Sequence, residues 1–309
     1  MLSIVIPVYN EERNLPRLAQ RLHNVLDNVM KVRNEIIFIN DGSTDNTLDI
    51  LLRLKKHYKN IKIISFDYNL GQTIAMQRGF EEAKGDIIVT MDADLQNLPE
   101  DIPILINKLN RGFDIICGWR YRRKDKLFSK KLPSFLSNFL IRAVAGVHIH
   151  DSGCSLRAYK KRAVKNIHLF GEMHRFIPVL LAKQGLKITE IKVRHLRRVH
   201  GITKYGFTRY FRGFLDLLFV LFLSRYSRRP LHLFGLLGLL TLFSGVALLF
   251  LDLIFLIFFL KIPIFSINIG PMIFISLLLV FFGLNFLILG IISEIMFLPI
   301  GRQRKEKIY

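Results

Sequence analysis

Two apolar runs, residues 233–260 and 271–298, restrict the fold of this chain more than any other feature of its sequence. Each exceeds the roughly 20 residues that cross a bilayer core, so residues 231–300 read as two transmembrane helices. The short connection between them carries Lys261, Pro263 and Asn268. Arg225, Arg228 and Arg229 precede the first run, and Arg302, Arg304, Lys305 and Lys307 follow the second, in a basic tail over 301–309. Positive charge is retained on the cytoplasmic side of a membrane, so the expectation is a hairpin with both ends cytoplasmic. Asp252, Asn285 and Glu294 interrupt the apolar runs. Ionisable groups at such positions are functional suspects by default. Asp252 and Glu294 lie towards the run ends, however, which favours interfacial placement or helix–helix contact.

Up to about residue 230 the composition is charged and mixed, as in a soluble domain. The formal net charge of +21 over 309 residues raises nucleic acid as a partner. No recognition-helix pattern, zinc spacing or aromatic RNA-binding motif supports it. The cations gather instead near apolar stretches, at Arg122-Arg123-Lys124, Lys130-Lys131 and Arg228-Arg229, which suits lipid headgroups and phosphate substrates. Cys117 and Cys154, the only cysteines, lack metal-ligand spacing and fit reduced cytosolic thiols. Met1 leads straight into an apolar strand, so no signal peptide is expected and the N-terminal domain stays cytoplasmic.

Within that domain strands and helices alternate. Strands are expected at 2–8, 35–40, 61–65, 86–91 and 114–118. A helix with Leu15, Leu18, Leu22, Val25, Leu26 and Val29 on one face follows the first strand, and further helices follow at about 47–54, 72–83 and from Pro99. This alternation predicts the α/β class with a doubly wound, mostly parallel sheet.

Ligands in such sheets bind beyond the carboxyl ends of the strands. The strand Ile87-Ile88-Val89-Thr90 delivers Asp92 and Asp94 there, with Gln96 just beyond. Two carboxylates and an amide oxygen suit Mg²⁺ or Mn²⁺, which take one or two protein carboxylates plus substrate phosphate oxygens. A lone Asp-x-Asp is a weak signal that usually only solvates a strand end. Asp41 likewise is either an ordinary turn residue or a carboxylate placed to accept a nucleobase N–H. In combination, Pro7-Val8-Tyr9-Asn10-Glu11, Asn40-Asp41-Gly42-Ser43 and Asp92-Ala93-Asp94-Leu95-Gln96 arrive in order with helices between them. The chain thereby resembles the family 2 glycosyltransferases of GT-A fold over its first two thirds. That resemblance implies a nucleotide-sugar donor, with Pro7, Tyr9, Asn10, Glu11, Asp41 and Asp92 at the nucleotide sugar and Asp92, Asp94 and Gln96 on the metal.

The remaining third of the soluble part changes character. Residues 128–147 carry Phe135, Leu136, Phe139, Leu140 and Val144 beside Lys130, Lys131 and Arg142, a pattern of either a basic interfacial helix or a core-facing one. Residues 207–230 repeat it around Phe211, Phe214 and Leu218, and the pair favours an interfacial platform. Between them, His195, Arg198, Gly201, Thr203, Lys204 and Tyr205 match the His-x-x-Arg-x-x-Gly-x-Ser-Lys-Tyr pattern of polyprenyl-phosphate glycosyltransferases, with threonine for the usual serine. Here the chain resembles dolichyl-phosphate mannose synthases and GtrB-like polyisoprenyl-phosphate glucosyltransferases. The resemblance implies a catalytic domain over 1–206, with Arg198, Thr203 and Lys204 on the acceptor phosphate and the 172–176 segment along the sugar. Arg120, at the end of the strand after Asp94, is the further cation expected near the phosphates.

The expected reaction is inverting transfer of one sugar from a nucleoside diphosphate, UDP-glucose or GDP-mannose first, to undecaprenyl or dolichyl phosphate. Such an acceptor is already anionic and needs no base. Asp94, Arg120, Arg198 and Lys204 are the candidate catalytic residues. The resemblance also admits a homo-oligomer assembled through the membrane helices. Two other readings compete: a catalytically silent nucleotide-sugar sensor or scaffold, and a processive polysaccharide synthase. The latter typically carries Gln-x-x-Arg-Trp, whereas the single tryptophan here is Trp119.

Overall fold

The computed structural model describes residues 1–121, 149–169, 171, 173–182, 184–196, 222, 226, 229–259 and 270–302. The stretch 128–147, the stretch 207–230 apart from Phe222, Tyr226, Arg229 and Pro230, and Arg198, Thr203 and Lys204 lie outside them. The chain divides into two compact units, Met1–Val220 and Leu221–Tyr309.

In the first unit β1 (Leu2–Val8), β2 (Asn34–Asn40) and β3 (Ile61–Ser65) are short runs of branched apolar residues, the composition that fits a pleated sheet buried on both faces. They alternate with α1 (Leu15–His23), α2 (Thr47–His57) and α3 (Gln72–Glu82). Then follow β4 (Ile87–Thr90), α4 (Ile102–Leu109), β5 (Ile115–Arg120), β6 (Arg157–Lys160), α5 (Lys161–Val164), α6 (Ile177–Ala182) and β7 (Ile188–Val193). The seven described strands form one sheet in the order β3-β2-β1-β4-β6-β5-β7. Strands β1 to β4 are parallel, and β6 lies antiparallel between β4 and β5.

Ile4, Ile6 and Val8 share a buried cluster with Leu15, Leu18 and Leu22 of α1 and with Leu105 and Leu109 of α4. On the opposite face α3 lies so close that a Cβ on Gly79 would stand 2.2 Å from Val5 Cγ1. Both faces are thus covered, as the doubly wound expectation requires.

Three local differences from that expectation have physical causes. The helix predicted through Val29 changes pitch after His23, and its last turn closes with the Met30 N–H on the Val25 carbonyl, five residues back, at 2.9 Å. Pro99 opens a tighter turn, Pro99–Asp101, before α4 begins. β6 and β7 were not anticipated, because Arg157-Ala-Tyr-Lys and Ile188-Thr-Glu-Ile-Lys-Val are short and carry charge where a buried strand would show continuous apolar residues.

The second unit holds α7 (Pro230–Phe259) and α8 (Gly270–Arg302), each apolar and long enough to cross a membrane. They pack antiparallel along glycines. A Cβ on Gly238 would lie 2.9 Å from the Gly283 carbonyl oxygen, on Gly245 2.7 Å from Val280 N, and on Gly283 2.6 Å from Leu242 N. Lipid supplies no hydrophobic drive between helices, so close backbone approach through small residues carries the packing. Asp252 and Glu294 make helix–helix contacts: Ser276 Oγ donates to Asp252 at 2.7 Å, and Leu231 N–H donates to Glu294 at 3.3 Å. Asn285 donates to the Phe281 carbonyl of its own helix at 2.8 Å.

Replacing Gly283 by valine drives a side chain into the α7 backbone and is expected to destabilise the hairpin by about 1–3 kcal/mol. Leu284→Val, on a residue 47% exposed in the unit, serves as the matched control with a small effect. Thermal unfolding in detergent measures both.

Candidate active site

Parallel pairing of β1 with β2 and with β4 places the ends of all three strands at one sheet edge. The chain passes from β1 outward to β2 and β3, then returns to add β4 on the other side of β1. That reversal opens the crevice in which open α/β sheets bind ligands.

The loops after β1 and β2 are bonded to each other. Asn10 adopts a left-handed conformation, φ 54°, which asparagine tolerates, and its side-chain oxygen accepts from Thr44 N at 2.8 Å. Asn10 N donates to Ser43 Oγ at 3.0 Å, and Glu11 N to Thr47 Oγ1 at 3.0 Å. Asp45 Oδ1 accepts from Thr47 N, the first residue of α2, at 3.0 Å. Pro7 is the one half-buried residue of the otherwise buried β1, and Tyr9 opens the loop that follows.

Asp41 is buried and already committed to the backbone. Its carboxylate accepts from Leu70 N at 2.8 Å and from Gly71 N at 3.1 Å. Burial pushes its carboxyl up from the usual range, and those two N–H groups pull against the rise. Gly42, at φ 63°, lies beneath the same segment, where a Cβ would come within 2.3 Å of the Tyr68 carbonyl carbon. The Asp41 turn therefore orders residues 68–71 as a wall of the crevice.

Asp92 and Asp94 occupy the turn after β4. Burial, and then the Asp94 charge, push the Asp92 carboxyl up to about 6. Three groups steady Asp92 against this: the Ser155 hydroxyl, Arg120 through its charge, and Gln72, whose Nε2 donates at 2.8 Å. Leu95 takes φ 60°, a conformation costing a leucine about 1 kcal/mol or more. It turns the chain so that Gln96 N donates to Asp94 Oδ1 at 3.1 Å. The Gln96 amide nitrogen points to the Leu196 carbonyl at 3.4 Å, which leaves the amide oxygen as the group able to meet a cation. Two crowded carboxylates with an adjacent amide oxygen fit a hard divalent cation that completes its shell from a ligand. Among the described residues there is no cluster of three or more His, Cys, Asp or Glu side chains that could hold a metal unaided.

Arg120 is placed differently from the expectation of a cation awaiting phosphate. Its Nε and Nη2 donate to Asp151 at 2.6 and 2.8 Å in a two-pronged, largely buried pair. Burial opposes its charge, but Asp151 more than offsets this and holds the guanidinium protonated. A Cβ on Gly153 would lie 3.1 Å from Nη2, so this loop closes tightly over the pair.

Leu196 N donates to the Gln96 carbonyl at 2.9 Å, and His195 bridges to Asn97. The chain thus enters the stretch containing Arg198, Thr203 and Lys204 from beside Asp94. Of the 172–176 segment, His174 Nδ1 meets Thr73 Oγ1 at 2.7 Å, next to Gln72. The buried Arg157 donates to the backbone carbonyls of His174, at 2.9 Å, and of Ser152.

Gln72, Thr73, Asp151, Ser155 and Arg157 were not singled out as site residues from sequence. Their partners lie 17 to 101 residues away, or across the sheet, and no local spacing marks them. Cys117 and Cys154 are both free and buried, with burial pushing the thiols up to about 11 and about 12. They are packing residues rather than nucleophiles.

Comparison with known proteins agrees with this geometry. The chain is 44% identical over 245 residues to the dodecaprenyl-phosphate galacturonate synthase of Rhizobium johnstonii, spanning 77% of this chain and 71% of that protein. It is 37% identical over 248 residues to the undecaprenyl-phosphate 4-deoxy-4-formamido-L-arabinose transferase of Salmonella typhimurium, spanning 80% and 74%. The fold is shared with glucosyl-3-phosphoglycerate synthase from Mycobacterium tuberculosis, crystallised with Mn²⁺, UDP and phosphoglyceric acid. The match has a TM-score of 0.56 at 18% identity and covers 72% of this chain and 77% of that one. The profile described as glycosyl transferase family 2 matches residues 3–168, and with the GT-A arrangement of strands and carboxylates already in view, the chain belongs to that family.

Proposed function

We propose that this protein transfers one sugar from a nucleoside-diphosphate sugar to a polyprenyl phosphate, with its catalytic unit on the cytoplasmic face of a membrane and α7 and α8 as its anchor. The observation that carries this reading is the junction of Gln96-Asn97 with His195-Leu196, which joins the candidate metal loop to the chain just before the basic stretch in sequence. The relatives named above, whose own acceptors are polyprenyl phosphates, support it.

In this reading the Pro7–Glu11 turn and the wall that Asp41 builds from residues 68–71 receive the nucleoside. Asp92, Asp94 and Gln96 hold Mg²⁺ or Mn²⁺, which would supply positive charge against the departing diphosphate. Arg198, Thr203 and Lys204 take the acceptor phosphate. Arg120, paired with Asp151, fixes the end of β5 and contributes its field at Asp92. A phosphate monoester is an anionic nucleophile near neutral pH, so the task is orientation of two anions without repulsion. Attack in line with the departing diphosphate inverts the sugar carbon. UDP-glucose and GDP-mannose remain donor candidates. The sugars in the relatives' names, galacturonate and a formamido-arabinose, add nucleotide-linked uronic and formamido sugars to them.

The test is a donor panel on purified protein with polyprenyl phosphate and Mn²⁺, following sugar into the lipid phase. One donor is expected to transfer. Asp94→Asn should cut that rate by more than about a hundredfold, beyond the cost of losing an outer-shell partner. Nucleotide-sugar binding with no transfer from any donor would favour a sensor or scaffold.

Asp92 gives a second test. Its carboxyl, raised from 3.8 to about 6, is disfavoured as an anion in the metal-free fold, so the stability it costs builds as pH rises from 3.8 to about 6 and is fully present above that. Protons compete with metal below the same pH. Mn²⁺ affinity by calorimetry is therefore expected to fall as pH drops through about 6. Asp92→Asn is expected to melt above the metal-free wild type at pH 7, by less at pH 5, and by nothing below about pH 4, while losing transfer. A lower melting temperature for the variant at pH 7 would contradict the assignment.

A further inference from the structure

β5 and β7 run parallel on the outer side of the sheet, with Trp119 paired opposite Lys192. Both strands end at the edge that carries Asp92 and Asp94, because β4 and β5 each lie antiparallel to the β6 between them. Trp119 stacks on the His150 imidazole, ring centroids 4.4 Å apart and planes 17° apart, and meets Tyr121 edge-on at 5.1 Å. The Lys192 ammonium stands 3.8 Å from the Tyr121 ring centroid and 5.4 Å from that of Trp119. Glu190 supports the cluster from below, accepting the His150 backbone N–H at 2.8 Å and pairing with its ring. Tyr121 is 53% exposed, and Leu196, on the same edge, is 44% exposed.

Ordinary sheet packing does not require this composition at an exposed edge. Tryptophan and tyrosine present apolar bodies with polar tips, and a lysine over their faces keeps its charge in water. That combination is favoured at the boundary between lipid and water. We propose that Trp119, Tyr121 and Lys192 form a membrane-interface contact, with the rings among lipid headgroups and Lys192 against their phosphates. Three observations select an anionic bilayer as the occupant. Lys192 is complementary in charge to it, and the sequence continues from Tyr121 into Arg122-Arg123-Lys124. The same chain carries two helices of membrane-spanning length. The cluster also stands at the edge where a lipid-borne phosphate must arrive, and in that respect alone the inference rests on the proposed acceptor.

Trp119 is the chain's single tryptophan, so intrinsic fluorescence of the full-length wild type reports on this surface without any substitution. The protein is reconstituted in phosphatidylethanolamine–phosphatidylglycerol vesicles with acyl chains brominated near the headgroup, and in unbrominated vesicles. The brominated vesicles are expected to remove most of the emission, with little further loss to aqueous iodide. Unchanged emission in brominated lipid together with strong iodide quenching would overturn the proposal. So would quenching by UDP or GDP in detergent, which would make the rings a nucleotide platform. Sugar transfer is scored separately on the same vesicles. Quenching without transfer leaves the surface standing and removes the acceptor reading; transfer without quenching does the reverse.

Discussion

Asp92 and Asp94 stand two residues apart on a largely buried turn, where burial and the neighbouring charge make it costly for Asp92 to ionise beside Asp94. Much of the surrounding structure manages that cost. Gln72 and Ser155 donate hydrogen bonds to Asp92, and the Gln96 backbone N–H donates to Asp94, which together fix the direction in which the carboxylates face. Arg120 supplies positive charge, but Asp151 neutralises it at 2.6 Å, so it moderates the repulsion without abolishing it. Such a crowded pair of carboxylates suits a small divalent ion. In the proposed reaction that ion arrives with a diphosphate.

The parallel half of the fold was legible because each of its strands is a continuous apolar run between a helix and a turn, and three of those turns carry the candidate site residues. Asp41, Asp92 and Asp94 could be placed at one edge from that pattern alone. The antiparallel insertion was not legible. Arg157 is fully withdrawn in β6, yet it reads in sequence as one more surface cation; only the carbonyls of Ser152 and His174, brought to it by tertiary folding, account for its burial. Arg120 shows the same limit. Its position at the end of β5 was readable, but its partner Asp151 lies 31 residues later and no local pattern links the two.

In the membrane unit Asp252 and Glu294 link the two helices. Ser276 and Asp252 join the helices near one end, and Glu294 receives the N–H of Leu231 near the other. Between them lie Gly238 and Gly245 on α7 and Gly283 and Gly290 on α8, each pair seven residues apart, so the contact recurs on one face every two turns. An apolar hairpin is specified by such steric fit at its centre and by buried hydrogen bonds at its ends, since lipid competes equally for every leucine.

The absence of an evident general base among the described residues near Asp94 then ceases to be a difficulty for catalysis. A sugar hydroxyl must lose a proton to become a good nucleophile; a phosphate monoester has lost it before it binds. In the proposed reaction the obstacle is instead electrostatic, because an anionic acceptor would have to approach an anionic diphosphate beside two carboxylates. The backbone ladder from Gln96 and Asn97 to His195 and Leu196 bears on that obstacle, since it anchors the start of a basic loop to the turn that carries the acids. Side-chain contacts alone would let the two charge sets drift by an ångström or more, enough to lose the benefit of orientation. Main-chain bonds hold their origins in register while leaving the cations beyond residue 196 free in sequence to suit the acceptor.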